Sequence, residues 1–291
     1  MKTKKKSVVS AALIIALCAV LLIVFLPDIR QFFDKAGTYG YTEKDLQNVD
    51  NIVLLAHCAE ISGSSNSVAG FKEAVRTGAD AVAVDLCFRP DGTPVITDDY
   101  DSVDSAPLLE ELFKAMNTEK YLDTKVFLNI TQLSGLSVFN KLVLDYGLES
   151  RLLIFGIDEE HYELIKADDT IVPVYYNYKV TQENKNSMSD GTFEAPEIME
   201  KYGAGGLVID YSDCSEKVID AFDELGIPVV VSGVNTNSRF CSALVSNAKT
   251  VYVSDVENSR QLLDDWIAAM QERYRSSVEK SLEDLSKTNK K

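Results

Sequence analysis

The residues of this chain that could carry chemistry lie where apolar runs typical of strands come to an end. His57, one of two histidines in the sequence, follows the run LLA, and Asp85 follows AVAV. Asp98 and Asp99 follow PVIT. Parallel strands bring their carboxyl ends to one edge of a sheet, so these side chains could meet there. An imidazole among carboxylates is typical of acid–base catalysis, and a group of carboxylates is typical of a divalent-cation site.

The same residues also have purely structural interpretations. His57 could simply hydrogen-bond to Asp85 across the strand ends. The acids, including Asp158, Asp210 and Asp255 near later strand ends, could cap helices or face solvent. The loop GSSNS before a helix start could bind an anion through backbone N–H groups, although any loop of small residues would look the same.

The elements that would position these residues alternate between strand and helix. Short, continuously apolar runs predict strands that are covered on both faces. These runs are IVLLA (52–56), AVAVDL (81–86), PVIT (94–97), VFLNI (126–130), LLIFG (152–156), IVPVY (171–175), GLVID (206–210), PVVVS (228–232) and TVYV (250–253). Helical runs between most of them predict a TIM-like (β/α)8 barrel, with a doubly wound open sheet as the alternative. The surplus strand is explained by a Pro-Asp-Gly turn at 90–92, which is too short for a helix and predicts a hairpin.

Residues that favour helix ends mark the boundaries of the helical runs. The predicted helix starts are Asn66, Pro107, Asp158, Ser215 and Asn237, and the predicted ends are Gly78 and Gly147. The last helix carries Leu262, Leu263, Trp266 and Met270 and is expected to give way to a solvated tail, SLEDLSKTNKK.

The N-terminus predicts a membrane anchor. Residues 1–6 contain four lysines, and residues 7–26 (SVVSAALIIALCAVLLIVFL) carry no charge. That uncharged stretch is long enough to cross a bilayer as a helix. A cleaved signal peptide would have a shorter apolar core and a cleavage site of small residues, so we expect a retained anchor. The lysines would stay in the cytoplasm, which places the chain after Pro27 outside.

The predicted organisation is therefore a single-pass membrane protein with one extracytoplasmic barrel. A cytoplasmic basic tail (1–6) and a transmembrane helix (7–26) are followed by a juxtamembrane linker (27–50). The barrel spans 51–266, and a C-terminal helix and polar tail occupy 267–291.

Charge and cysteine content narrow the possible partners. The formal charge is -16 at pH 7, which argues against a nucleic-acid partner or an anionic lipid surface bound through a basic face.

Cys18 lies in the predicted membrane span. Cys58 and Cys87, each near a strand end, could form a disulfide outside the cytoplasm, and buried free thiols are the alternative. None of the cysteines has the CxxC spacing of a zinc site.

Several of these motifs, in this order and spacing, resemble the glycerophosphodiester phosphodiesterase family. They are LLAHCAE (54–60), NSVAGFKEAVRTGADAVAVDL (66–86), PDGTPVITDD (90–99), LLEELF (108–113), VFLNI (126–130), YGLESRLLIFGID (146–158) and GIPVVVSGVNTN (226–237). The resemblance covers roughly residues 51–266. It implies a barrel with its site at the carboxyl ends of the strands, a divalent cation that polarises a phosphodiester, and two histidines that act as acid and base.

Position by position, the resemblance implies a site that has largely been replaced. The first catalytic histidine matches His57, and one metal-site carboxylate matches Asp85. The second histidine falls on Asp98, and the aspartate that follows it is kept as Asp99. The substituted positions are Cys58 for an arginine, Ser65, Ala83 and Thr131 for glutamates, and Leu133 for a lysine.

These substitutions predict a barrel that has lost most of the family's catalytic machinery. A Ca²⁺ site needs about six oxygen ligands, more than Asp85 alone supplies. A carboxylate at Asp98 is ionised at neutral pH and is a poor general acid. We therefore expect a pseudoenzyme without a resident metal, which binds a phosphodiester or a protein ligand outside the cell.

Two alternatives remain open at this point. The first is a divergent Ca²⁺- or Mg²⁺-dependent hydrolase of lipid metabolism, which would use His57 and Asp98 to cleave glycerophosphodiesters to an alcohol and glycerol 3-phosphate. The second is an interaction domain that binds its partner through another surface.

Overall fold

Eight parallel strands close into a barrel in the computed structural model. The residues that the structure describes are 51–58, 66–130, 136–167, 170–184, 186 and 195–288. Within those residues, no helix is long and apolar enough to cross a membrane. The predicted transmembrane helix at 7–26, with Cys18, lies outside the described residues. So do the substituted positions Ser65, Thr131 and Leu133.

The strands follow the predicted pattern closely. They are β1 (Val53–His57), β2 (Ala81–Phe88), β3 (Pro94–Ile96), β4 (Lys125–Ile130), β5 (Leu152–Ile157), β6 (Val174–Asn177), β7 (Gly206–Asp210), β8 (Val229–Val234) and β9 (Thr250–Val253). Their order is β1-β9-β8-β7-β6-β5-β4-β2, and pairing of β1 with β2 closes the ring. The (β/α)8 prediction is confirmed, and the open-sheet alternative is wrong. Strand β6 begins later than predicted, directly after Pro173, which has no N–H to donate to a ladder.

The surplus strand β3 forms the predicted hairpin with β2. It pairs antiparallel with the far end of β2, from Leu86 to Phe88. Strand β1 pairs with β2 only as far as Ala83, and β4 occupies the other edge as far as Leu86. Strand β3 therefore lies beside β2, beyond the end of β1. It leads the chain back towards the barrel mouth, by which we mean the carboxyl ends of the parallel strands. The N–H of Thr97 donates to the carbonyl of Asp85 there, at 3.1 Å.

The helices surround the barrel. They are α1 (Val68–Arg76), α2 (Leu109–Met116), α3 (Leu136–Tyr146), α4 (Tyr162–Ala167), α5 (Ala195–Tyr202), α6 (Glu216–Glu224), α7 (Asn237–Val245) and α8 (Val256–Thr288). Ser215 caps α6 as predicted, and Gly78 and Gly147 follow helix ends with positive φ. Helix α8 continues to Thr288, so the predicted end of the last helix before residue 281 is wrong.

Three predicted helix starts are displaced by one or two residues. Ser67 caps α1 in place of Asn66, and Thr236 caps α7 in place of Asn237. Helix α2 begins at Leu109, two residues after Pro107. Asp158 does precede a short 3-10 turn at 159–161, but its side chain does not cap that turn.

The barrel interior is packed with apolar side chains. Alternate residues of the strands point inward and form one buried cluster, which is Leu55, Ala81, Ala83, Phe127, Leu153, Phe155, Val208 and Val230. Rings at its centre meet edge to face: Phe127 with Phe155 at 5.9 Å, Phe155 with Tyr252 at 5.8 Å, and Phe127 with Tyr175 at 6.4 Å between centroids. Gly206 makes room for the Tyr175 ring, since a Cβ there would lie 2.6 Å from two ring atoms. Aromatic side chains therefore fill the barrel interior directly beneath the mouth.

Candidate functional site

His57 and Asp85 form a close pair at the barrel mouth. His57 ends β1 in register with Ala83 of β2. Asp85, two residues further along β2, points to the same face. His57 Nε2 lies 2.8 Å from Asp85 Oδ2, and the two side chains are 12% and 7% exposed. The structure thus places the predicted contact between these residues in a nearly buried setting.

Asn129 engages the other oxygen of the same carboxylate. It lies on β4 in register with Asp85, and its Nδ2 donates to Asp85 Oδ1 at 2.8 Å. Asp85 is therefore held from both sides, by His57 and by Asn129. Sequence reasoning missed Asn129, because only charged ligands were sought on this strand. The signal that could have found it is a polar residue in the otherwise apolar run VFLNI.

The side chain of Asn66, just before α1, hydrogen-bonds to the backbone of β2. Its Nδ2 donates to the carbonyl of Asp85 at 3.1 Å, and its Oδ1 accepts from the N–H of Asp85 at 3.2 Å. The same Oδ1 accepts from the thiol of Cys58 at 3.0 Å. Because its amide is used here, Asn66 does not cap α1, and the hydroxyl of Ser67 accepts from the N–H of Gly70 instead.

Cys58 is a fully buried, neutral thiol at the position where the family resemblance implies an arginine. Burial raises its pKa to about 12, and the nearby charge of Asp85 acts in the same direction. A neutral thiol cannot pair with phosphate oxygens as a guanidinium does.

The disulfide considered between Cys58 and Cys87 is absent, since both residues are thiols. Cys87 packs instead with Val95 and Val103 beneath the β2–β3 hairpin. The other two cysteines in the described part of the chain, Cys214 and Cys241, are also free.

The two acids after β3 have different surroundings. Asp98 is exposed at the rim of the mouth, and its charge is among those that raise the pKa of the Cys58 thiol. Asp99 accepts a hydrogen bond from the N–H of Asp101 at 3.0 Å and caps the short turn at 100–102.

Acids elsewhere around the mouth also bind neighbouring protein groups. Asp158 Oδ1 accepts from Asn177 Nδ2 at 2.7 Å, and the Tyr162 hydroxyl donates to the carbonyl of Asn177 at 2.6 Å. Ser212 hydrogen-bonds to the carboxylate of Asp210 through its side chain and its N–H, and this holds the pKa of Asp210 below its usual range. Among the residues that the structure describes, no group of three or more His, Cys, Asp or Glu side chains could hold a metal ion.

Ala83 belongs to the floor of the mouth and not to its polar lining. It is fully buried and is part of the same interior cluster as Phe127, with which it is in register. A glutamate side chain at this position would have to enter the packed layer of rings.

The comparisons with known proteins agree with this architecture. No protein-family model and no curated protein matches the sequence. Solved structures do match. A glycerophosphodiester phosphodiesterase from Parabacteroides distasonis has a TM-score of 0.59 at 15% identity, over 74% of this chain and 98% of that one. An Oleispira antarctica phosphodiesterase, solved with the product sn-glycerol-3-phosphate, has a TM-score of 0.58 at 16% identity, over 73% and 96%.

A third match comes from Thermotoga maritima. This glycerophosphodiester phosphodiesterase has a TM-score of 0.53 at 18% identity, over 72% of this chain and 98% of that one. The matched share is nearly the whole of each neighbour and leaves about a quarter of this chain outside. The barrel of this chain has the fold of glycerophosphodiester phosphodiesterases.

Proposed function

We propose that this chain is a member of the glycerophosphodiester phosphodiesterase family that has lost the family's hydrolytic chemistry, and that its barrel serves as a binding or scaffold domain. One observation carries the proposal above the others. The single metal-site carboxylate that survives in the described residues, Asp85, is nearly buried and binds His57 and Asn129 through its two oxygens. A group used in this way stabilises the mouth of the barrel.

This arrangement disfavours the binding of a divalent cation. A Ca²⁺ ion takes six to eight oxygen ligands, and Mg²⁺ needs a nearly octahedral set. Asp85 can supply at most two of these oxygens, and each of them already has a contact at 2.8 Å, with His57 or with Asn129. Ala83 contributes no ligand and sits in the apolar floor.

Binding of the phosphate group is disfavoured for a separate reason. The resemblance implies a guanidinium at the position of Cys58, where a buried thiol with a raised pKa carries no charge. The exposed carboxylate of Asp98 stands where the second histidine would protonate the leaving group. An anionic diester would therefore meet negative charge at the rim without a compensating cation at these positions.

The location we propose is the outer face of a membrane. Residues 7–26 are uncharged and follow a lysine-rich start, which supports a single-pass anchor with the barrel outside the cytoplasm. An anchored barrel without turnover suits a protein that holds a phosphodiester or a protein partner at the membrane surface.

The alternative function is a divergent metal-dependent phosphodiesterase, and the His57–Asp85 contact is the observation in its favour. A carboxylate that orients an imidazole is a common arrangement for a general base. In that case His57 would deprotonate the nucleophile, Asp98 would take part from the rim, and Ca²⁺ or Mg²⁺ would supply Lewis acidity.

An activity assay with matched variants separates the two proposals. The full chain in detergent is incubated with glycerophosphocholine or bis(p-nitrophenyl) phosphate, with Ca²⁺, Mg²⁺, Mn²⁺ or a chelator. We expect turnover no higher than that of His57→Ala in every condition. Metal-dependent turnover that falls in His57→Ala and also in Asp98→Asn would overturn the proposal in favour of the hydrolase.

A binding measurement completes the test. Thermal unfolding of the same protein is followed with glycerophosphocholine and with glycerol 3-phosphate, both without metal. A midpoint that rises with the concentration of glycerophosphocholine identifies a phosphodiester ligand, since a ligand that binds only the folded state stabilises it by mass action. A rise with glycerol 3-phosphate alone identifies a phosphomonoester ligand. An unchanged midpoint with both compounds directs the search to a protein partner.

A further inference from the structure

Asp210 and Arg239 carry opposite charges on one side of the barrel mouth. Asp210 ends β7 in register with Ser232 of β8, and Arg239 lies in the first turn of α7, the helix that follows β8. Both residues are exposed. In the closed ring of strands, β9 lies between β8 and β1, so these two charges are separate from the His57–Asp85 pair.

The guanidinium group of Arg239 is held by two neighbours that leave one of its edges available. Its Nη1 donates to the carbonyl of Gly233 at 2.8 Å, and its Cζ lies 5.2 Å from the centre of the Tyr211 ring. Within the described part of the chain, Nε and Nη2 make no hydrogen bond. Such an edge can donate to two oxygens of a phosphate or a carboxylate. Arg239 therefore presents an oriented anion-binding group to the mouth.

The carboxylate of Asp210 is held separately by the chain around it. Its Oδ1 accepts from the N–H of Ser212 at 2.8 Å. Its Oδ2 lies against Gly233, which has a φ of +73° and at which a Cβ would be 2.7 Å from that oxygen. Ser212 contributes most to the lowered pKa of Asp210, and the charge of Arg239 acts in the same direction. These two residues, both in the described part of the chain, nevertheless form no ion pair with each other.

We propose that this side of the mouth binds a zwitterion, with the phosphate or carboxylate of the ligand on Nε and Nη2 of Arg239 and its ammonium group on the carboxylate of Asp210. Hydrogen bonds to the chain hold the two protein groups in place, so a ligand can bridge them. A purely anionic ligand would be attracted by Arg239 and repelled by Asp210, and a purely cationic ligand would meet the reverse. A ligand with both charges gains from each group.

The zwitterion site rests on the proposed role of the barrel as a binding domain, and it narrows the ligand to one chemical class. It also accounts for an anionic group at a mouth where Cys58 supplies no charge, because the cation now comes from α7. The ligand's ammonium group would offset the negative charge of the carboxylate beside that cation.

Isothermal titration calorimetry of the full chain in detergent, at neutral pH and constant ionic strength, tests this site. The zwitterions phosphoethanolamine and γ-aminobutyrate are compared with inorganic phosphate, acetate and ethanolamine, each of which carries one kind of charge. We expect one zwitterion to bind about ten-fold more tightly than any of the three single-charge compounds. Which of the two binds distinguishes a phosphate ligand from a carboxylate ligand.

Matched variants assign the two charges of the ligand to their partners. Arg239→Gln should weaken binding of the zwitterion about ten-fold, and Arg239→Lys should weaken it less, since it keeps the charge and loses the planar fork. Asp210→Asn should weaken binding of the zwitterion and strengthen binding of the anion alone, because a repelling charge is removed. A purely structural role would not change the two affinities in opposite directions. The control is Arg76→Gln, at an exposed arginine of α1 that pairs with Glu73, and it should change neither affinity.

Two results would overturn the proposal. One is that neither zwitterion binds at millimolar concentration, or that neither binds more tightly than the single-charge compounds. The other is an affinity that Arg239→Gln or Asp210→Asn leaves unchanged, which would mean that the ligand binds elsewhere. Failure of the proposed function is recognised separately, as metal-dependent turnover that His57→Ala abolishes, and that result would leave the binding of a zwitterion to Arg239 and Asp210 unaffected.

Discussion

Replacing Asp85 by alanine should destabilise the barrel, and the direction of this change distinguishes a structural mouth from a working metal site. In a metal site without its ion, crowded carboxylates repel one another, and removing one of them commonly stabilises the protein. In this structure the carboxylate is 7% exposed and has an imidazole at 2.8 Å and an amide at 2.8 Å. Its removal leaves His57 and Asn129 without the group that each contacts.

The size of the effect follows from the two polar groups that the carboxylate binds. Removing one partner of a buried pair typically costs about 3–5 kcal/mol, and a single hydrogen bond to a charged group is worth about 1.5–3 kcal/mol. His57 keeps some exposure to solvent, so we expect Asp85→Ala to lower the free energy of unfolding by about 3 kcal/mol. For a domain of this size that corresponds to a fall in Tm of roughly 6–12 °C. Asp85→Asn keeps the shape of the side chain and should lose about half as much.

Thermal unfolding in the presence of a chelator, followed by circular dichroism, measures this change. Asp98→Ala is the matched control, because the side chain of Asp98 is exposed and its removal should alter stability by less than about 0.5 kcal/mol. A higher Tm for Asp85→Ala than for the wild type would refute the reasoning. So would a Ca²⁺-dependent rise in the wild-type Tm that Asp85→Ala abolishes.

Three further substitutions test the packing at the mouth and in the barrel interior beneath it. Burial raises the pKa of Cys58 from 9.0 to about 12, so the stability that its neutral thiol contributes is present below pH 9 and is lost as the pH rises towards 12. Urea unfolding at pH 8 and pH 10.5 should therefore show a smaller pH-dependent loss of unfolding free energy in Cys58→Ala than in the wild type. Gly206→Ala places a Cβ 2.6 Å from the Tyr175 ring and 2.7 Å from the carbonyl of Pro228. It should lower the free energy of unfolding by about 1–3 kcal/mol in urea titrations. An unchanged midpoint would mean that the ring has room to move. Phe155→Ala, at a side chain that is 5% exposed, should cost about 3–5 kcal/mol in the same titrations, and a loss below about 1 kcal/mol would show that the interior is loosely filled.

The barrel could be predicted from the sequence because its strands are short apolar runs that local signals separate clearly. The Pro-Asp-Gly turn at 90–92 identified the hairpin correctly, and this removed the surplus strand from the count. The position of β6 was harder to predict, since IVPVY is apolar throughout and only the missing N–H of Pro173 decides where the ladder begins.

The polar interactions at the mouth could be predicted only in part. Contact between His57 and Asp85 follows from two strand ends that are neighbours in a barrel. The role of Asn129 depends on the register of β2 and β4, which no local signal reports. Asn66 was expected to cap a helix, and its amide binds the backbone of Asp85 instead, because a hydroxyl one residue later can cap α1 equally well.

Hydrogen bonds at the amino ends of the strands are physically separate from the candidate site, so a loss of chemistry at the mouth would leave them in place. Arg151 binds the carbonyls of Met116 and Tyr121 at the end opposite the mouth, and Arg260 binds Gly78 and Asp80 there. None of these hydrogen bonds involves a residue that the family's chemistry would need. Substitutions at the mouth therefore leave the closure of the barrel intact, and an alanine at position 83 with packed rings beneath it removes the cost of burying a carboxylate. At the mouth, the carboxylate of Asp85 binds the neighbouring side chains of His57 and Asn129.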